Sequence, residues 1–135
     1  MARDILVFGH GDKSSKGFAT AEALVEYLEG GIFRKEYGGR YRYSQRRQAD
    51  VIVLSRDGWA YGHFEVSSTE APTEKDRRAY PRVRRVYLIR KSVRYGKPVR
   101  MSDMGISRFQ FGKRVTEEEF EGILRAAGRS EGFCS

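Results

Sequence analysis

Four groupings of side chains in this sequence have types and spacings that suit chemistry. The first is Trp59 with Tyr61, just past Arg56-Asp57-Gly58. A lone tryptophan beside a turn can wall a pocket for a flat ring, and Ser55 and Arg56 stand where they could contact the edge of that ring. Its bland alternative is a core or lid aromatic. The second is Arg40-Tyr41-Arg42-Tyr43. Rings and guanidinium groups interleaved at strand spacing suit bases and phosphates of a single strand, or else a sheet edge protected by charge. The third is the polar loop from His10 to Lys16, where His10, Lys13, Ser14 and Lys16 offer donors to a base edge or a phosphate. A phosphate-binding P-loop needs Gly-x4-Gly-Lys-Ser/Thr. Gly11 and Gly17 are six positions apart and Phe18 follows, so nucleotide hydrolysis is excluded there. The fourth is Asp50 with Glu65-Val66-Ser67, which has the outline of a PD-(D/E)xK nuclease. That chemistry needs two carboxylates on a divalent metal and a lysine near the attacking water, and Ser67 stands at the lysine's place.

Metal and cofactor chemistry find little else to use. The chain has two histidines, His10 and His63, and one cysteine, Cys134, which is a poor ligand set for zinc and makes an internal disulfide impossible. No metal and no cofactor are expected.

Charge points to a partner. Lys and Arg number 26 against 18 Asp and Glu, for a net charge of +8. From Arg77 to Arg100 the bases are Arg77, Arg78, Arg82, Arg84, Arg85, Arg90, Lys91, Arg94, Lys97 and Arg100, with no acid among them. A second basic stretch runs from Arg34 to Arg47, with Glu36 its only acid, while Glu117, Glu118, Glu119 and Glu121 cluster elsewhere. Segregated charge of this kind draws a polyanion, and the preference for Arg over Lys suits phosphate forks and stacking. Lys13, Lys16, Arg40, Tyr41, Arg42, Tyr43, Arg82, Arg84, Arg85 and Arg94 are the expected contacts to a nucleic-acid backbone.

These groups must be positioned by a folded domain, and 135 residues suffice for one core without staples. Residues 3–8 read as a buried strand. Its apolar run is far too short for a signal segment or a membrane span, so a cytoplasmic protein is expected. Ala21, Leu24, Val25 and Leu28 recur at helical spacing, capped by Thr20 and stopped by Gly30-Gly31. Gly38-Gly39 reads as a turn and Arg40 to Tyr43 as extended. Val51 to Leu54 is a buried strand, and Arg56-Asp57-Gly58 turns it back into Trp59 to Val66. Strict alternation there would put Ala60, Gly62, Phe64 and Val66 on one face and Trp59, Tyr61, His63 and Glu65 on the other. Residues 67–80 read as a polar loop with some helical character. Strands are expected over 83–91, 93–101 and 106–111, with Pro98 confining the second to an edge or an end. Thr116-Glu117-Glu118-Glu119 is a capping box for a closing helix that carries Phe120, Ile123, Leu124 and Ala127 and ends at Gly128. Residues 3–128 form one domain and 129–135 a frayed tail. The order predicts an α+β fold, a curved antiparallel or mixed sheet or small barrel flanked by two helices.

This order resembles the EVE domains of the PUA-like superfamily, relatives of the YTH readers of modified bases. The resemblance rests on the opening strand Ile5–Phe8 and its loop, on Ala49-Asp50-Val51-Ile52-Val53-Leu54-Ser55-Arg56-Asp57-Gly58 followed by Tyr61-Gly62-His63-Phe64-Glu65-Val66, on Val93-Arg94-Tyr95-Gly96-Lys97-Pro98-Val99, and on Phe111-Gly112-Lys113-Arg114-Val115-Thr116-Glu117-Glu118-Glu119-Phe120. It departs from the family at Ala49, where a glycine is expected, and near Ser55, where an aromatic is expected. The resemblance implies a reader without catalysis, which holds one unstacked base, often a modified one, in an aromatic pocket with a basic rim. It implies DNA or RNA as ligand, with a nuclease or motor as possible partner in modification-dependent restriction, and no membrane. A PD-(D/E)xK-like nuclease using Asp50 and Glu65, and a protein-interaction module with an incidental basic surface, remain the alternatives.

Overall fold

The computed structural model describes residues 3–11, 17–106, 113–128 and 131–134. It is an α+β domain whose mixed sheet curls into a half-barrel, as the order of elements predicts. The strands are β1 (Ile5–Gly9), β2 (Arg40–Tyr43), β3 (Val51–Arg56), β4 (Trp59–Glu70), β5 (Arg85–Arg100), β6 (Lys113–Val115) and β7 (Glu131–Cys134). The helices are α1 (Ala21–Leu28), α2 (Glu74–Ala79) and α3 (Glu117–Ala127). Strand order is β2-β5-β4-β3-β1-β6, with β7 added beside β5. Among the described residues, only β1 and β3 run parallel; the other pairings are antiparallel.

Ile5–Phe8 of β1 and Val51–Leu54 of β3 are apolar at every position because both of their faces are covered. Ile5, Val7, Val51 and Val53 join Phe120, Ile123 and Ala127 of α3 in one core. Leu6, Phe8, Ile52 and Leu54 join Leu24, Tyr27 and Leu28 of α1 in the other. That second core is the inside of the half-barrel. The curl brings the edge strand β2 over β1, so the Phe8 and Tyr43 rings stack with centroids 4.2 Å apart. Helix α1 packs tightly against β4 because Gly62 leaves room: a Cβ there would collide with the Val93 carbonyl and the Leu28 methyls.

Local signals hold at the turns and caps. Asp57 and Gly58 both take positive φ, 53° and 86°, which is the tight hairpin turn that matches strand twist. Thr20 accepts the Ala23 N–H, and Thr116 forms a capping box with Glu119.

Four expectations need correction. Strand β4 does not alternate strictly. One residue at Tyr61 is extra relative to β3, since Ser55 pairs with Ala60 but Leu54 pairs with Gly62. The bulge turns Ala60 and His63 toward the α3 side while Tyr61, Phe64 and Val66 pack on the α1 side. Residues 67–70 extend β4 rather than forming a loop, because β5 continues to pair with them as far as Glu70↔Val86. The two strands expected over 83–101 are one strand, β5. Pairing with β4 skips from Arg94 to Val99, and Pro98 sits in that skip, where no ladder N–H is needed. The tail is not wholly frayed: β7 pairs with β5 from Lys91↔Cys134 to Arg94↔Glu131. Of the strand expected over 106–111, Ile106 is buried after a 3-10 turn and 107–111 lie outside the described residues. Among the described residues, no helix is long and apolar enough to cross a membrane.

Candidate nucleic-acid interface

The carboxyl ends of the parallel pair β1 and β3 lie side by side at one end of the half-barrel, its mouth, and in open α/β sheets ligands commonly bind outside such strand ends. Five of the expected site residues meet there. The backbone N–H of His10 donates to the Ser55 carbonyl at 2.7 Å, and Ser55 Oγ donates to the Phe8 carbonyl at 3.2 Å. The buried His10 ring shares a 2.6 Å hydrogen bond between Nε2 and the Tyr41 hydroxyl. Tyr43 donates its hydroxyl to the Gly9 carbonyl at 2.9 Å and lies 5.7 Å, centroid to centroid, from His10. Arg56 reaches across to the carbonyls of Phe18 and Ala19 at 3.3 and 3.1 Å. Arg56 therefore fastens the start of α1 to the hairpin.

Tyr41 and Tyr43 are not the open stacking rings expected from their spacing. They are buried in the barrel interior, with Phe8, Tyr87 and Phe64 around them. Burial pushes both phenols up from their ordinary pKa. Tyr87, which donates to the Arg47 carbonyl at 2.6 Å, is pushed up to about 12 by burial. These rings build a rigid wall rather than a platform.

Arg40 and Arg42 are likewise turned inward, toward a carboxylate that no sequence motif singles out as theirs. Asp76 on α2 is 1% exposed. Its Oδ1 accepts Arg42 Nε at 2.7 Å and Arg40 Nε at 3.1 Å, and its Oδ2 accepts Arg40 Nη2 at 2.7 Å. Oδ2 also accepts the Thr73 N–H and hydroxyl at 2.8 and 2.9 Å, completing a capping box. Burial alone would push this carboxyl up. The hydrogen bonds from Arg40, Thr73 and Arg42 outweigh it and hold Asp76 well below the usual carboxylate range. Arg40 also pairs with Glu70 at the end of β4. The Thr73-Glu74-Lys75-Asp76 spacing was the available signal for the cap; nothing local marks the arginines as its partners.

The residues after Asp76 behave differently. Arg77, Arg78, Arg82 and Arg84 are exposed, and among the described residues they enter no ion pair. Most other arginines do: Arg3 with Glu117, Arg34 with Glu26, Arg90 with Glu65, Arg94 with Glu29, Arg114 with Asp4. Of the expected backbone contacts, Arg94 is thus paired, and Arg85 donates to Thr69 at 3.0 Å. Of the free arginines, Arg84 is tied at its backbone to this end of the barrel, its N–H donating to the Tyr43 carbonyl at 2.9 Å.

Trp59 stands on the hairpin beside Arg56, its cross-strand partner. It is the exposed large hydrophobic among the described residues, at 37%. The Arg100 guanidinium lies over its ring, 5.3 Å from the centroid. Tyr61 packs partly buried against the barrel core. Lys13, Ser14 and Lys16 lie outside the described residues.

The carboxylates of the nuclease alternative are each engaged. Asp50 Oδ2 accepts the Asp4 N–H at 2.8 Å, and Glu65 pairs with Arg90. Ser67 donates to the Leu88 carbonyl at 3.1 Å. Among the described residues, no group of three metal-ligating side chains forms. His63 is buried against Phe120, with Nδ1 3.0 Å from the Tyr95 hydroxyl. Burial, helped by the charges of Lys91 and Arg3, pushes His63 down to about 3. No family model, curated protein or solved structure matches this chain.

Proposed function

We propose that this domain binds nucleic acid without catalysis, gripping phosphates with the arginines that follow Asp76 and stacking one unstacked base on Trp59. The observation that carries the proposal is the set Arg77, Arg78, Arg82 and Arg84: four exposed guanidinium groups within eight residues of chain, with no ion pair among the described residues, where nine of the other thirteen described arginines have found an acid. Guanidinium groups left unpaired in this way serve phosphates, by charge and by their forked donors. The accessible ring for a base is Trp59, already backed on one face by Arg100. The resemblance to EVE domains agrees with this reading and extends it to a modified base, a cytoplasmic setting and a nuclease or motor partner.

The test is a panel of DNA and RNA oligonucleotides, plain and modified, measured at two salt concentrations. Binding should weaken steeply with salt as counterions are released. In Trp59→Ala, binding should fall about fivefold to over a hundredfold, the worth of one stacked base at roughly 1–3 kcal/mol, with the fold retained. The loss should be largest on the preferred base. A Trp59→Ala protein that binds every oligonucleotide as the parent does removes the base-stacking half of the proposal.

A further inference from the structure

We infer that Asp76 is a positioning residue for phosphate binding: by clamping α2 onto β2 through Arg40 and Arg42, it presents the free arginines as one preorganised surface. This rests on the nucleic-acid reading above and adds a division of labour to it.

Helix α2 is six residues long, too short to be stable by itself. No α2 residue other than Asp76 is buried, so the helix has no apolar stripe to dock with. What holds it is Asp76. One carboxylate receives two guanidinium groups from alternate residues on one face of β2, plus both donors of Thr73. Arg40 ties the cluster onward to Glu70, so the end of β4, helix α2 and edge strand β2 are joined through a single acid. Chain continuity does the rest. The Tyr80 N–H donates to the Asp76 carbonyl at 2.9 Å, the Val83 N–H to the Tyr80 carbonyl at 3.0 Å, and the Arg84 N–H to the Tyr43 carbonyl at 2.9 Å. From Asp76 to Arg84, then, every few residues are pinned, while Arg77, Arg78, Arg82 and Arg84 point to solvent. A surface whose backbone is already ordered loses less freedom when it binds. Arg42 is 5% exposed and cannot itself reach a ligand. Its charge serves the clamp.

The charge sign makes the claim testable. Asp76→Asn raises the net charge by one, so long-range electrostatics alone would tighten binding to a polyanion. The clamp predicts the opposite. The probe is a short mixed-sequence single-stranded DNA, followed by fluorescence anisotropy across a salt series, with folding checked by circular dichroism. Asp76→Asn should bind more weakly than the parent, and the slope of log affinity against log salt should shrink by about 0.7 for each phosphate no longer neutralised. Glu26→Gln makes the same charge change at an exposed residue outside the clamp, paired with Arg34, and should bind as well as the parent or better. If Asp76→Asn does not fold, Arg42→Lys decides: it keeps the charge and removes the guanidinium donor, and weaker binding with a smaller slope is expected. Folded Asp76→Asn, or failing that folded Arg42→Lys, binding with undiminished affinity and slope would overturn the clamp while leaving the nucleic-acid reading intact. A parent protein that shows no salt-sensitive binding would overturn both.

Discussion

Arg40 and Arg42, which pair with α2, and Arg77 to Arg84, which lie on α2 and the segment after it, have opposite fates. The β2 arginines sit in the second basic stretch of the sequence, interleaved with tyrosines, and look like ligand contacts. They are instead spent on Asp76, buried or half-buried, with both of its carboxylate oxygens hydrogen-bonded. Among the described residues, Arg77, Arg78, Arg82 and Arg84 have no such partner. The difference lies in what stands opposite. An arginine across from a buried acid is structural, and one across from water is available. A count of positive charge adds the two kinds together and so overstates the binding surface.

The strongest way to break that contrast is to remove a buried partner. Arg42→Ala would leave Asp76 short of one of its charge partners inside the protein. Such a change costs about 3–5 kcal/mol, which thermal or urea unfolding would register as a large drop in stability. A loss no greater than that of a surface substitution would mean that β2 and α2 do not depend on this pair.

His63 sharpens the contrast as a third case, a basic side chain buried without any acid, beside Tyr95 and Phe120. It escapes the cost of a buried charge by staying neutral. Its pKa is about 3 in the folded protein against 6.5 ordinarily, so the unfolded chain binds the extra proton. Its contribution is fully present above pH 6.5 and is lost as pH falls toward 3. Each unit below 6.5 should cost up to about 1.4 kcal/mol. Measured between pH 7 and 5, where carboxylates contribute least, the parent should lose stability and His63→Gln should lose much less. Equal slopes for the two proteins would contradict a neutral buried imidazole.

The smallest expected effect completes the series. Arg77→Ala and Arg78→Ala should change stability by no more than about 0.5 kcal/mol, as surface changes do. A larger loss in either would show that these side chains, too, have a structural partner.

The sequence makes some of this plain and hides the rest for identifiable reasons. The hairpin is legible because Asp57-Gly58 can adopt positive φ at both positions and apolar runs flank it. Helix α3 is legible because Thr116 and Glu119 cap each other within one turn. Signals confined to a few neighbouring residues survive in this way. The bulge at Tyr61 does not, since an extra residue in one strand is defined only by its partner. The same holds for β2: its alternation of Arg and Tyr is visible, but both faces are covered, one by the curl of the sheet and the other by α2. Asp76 lies 34 residues from Arg42 in the chain, and only the fold brings them together. Among the candidate contacts, His10, Ser55 and Arg56 share the mouth as a set, while Arg94 has an acid from α1's C-cap, Glu29, that no local pattern announces.

The most direct measurement of the central claim is the salt dependence of binding to a single-stranded oligonucleotide by the parent and by an Arg82→Ala/Arg84→Ala double variant. The parent's log affinity should fall linearly with log salt. The double variant should remain folded, bind more weakly on every sequence, and show a slope shallower by about 0.7 for each phosphate it ceases to grip, or about 1.4 if each arginine holds one. A parent whose binding ignores salt, or a double variant with the parent's slope, would contradict the assignment of these free arginines to phosphate.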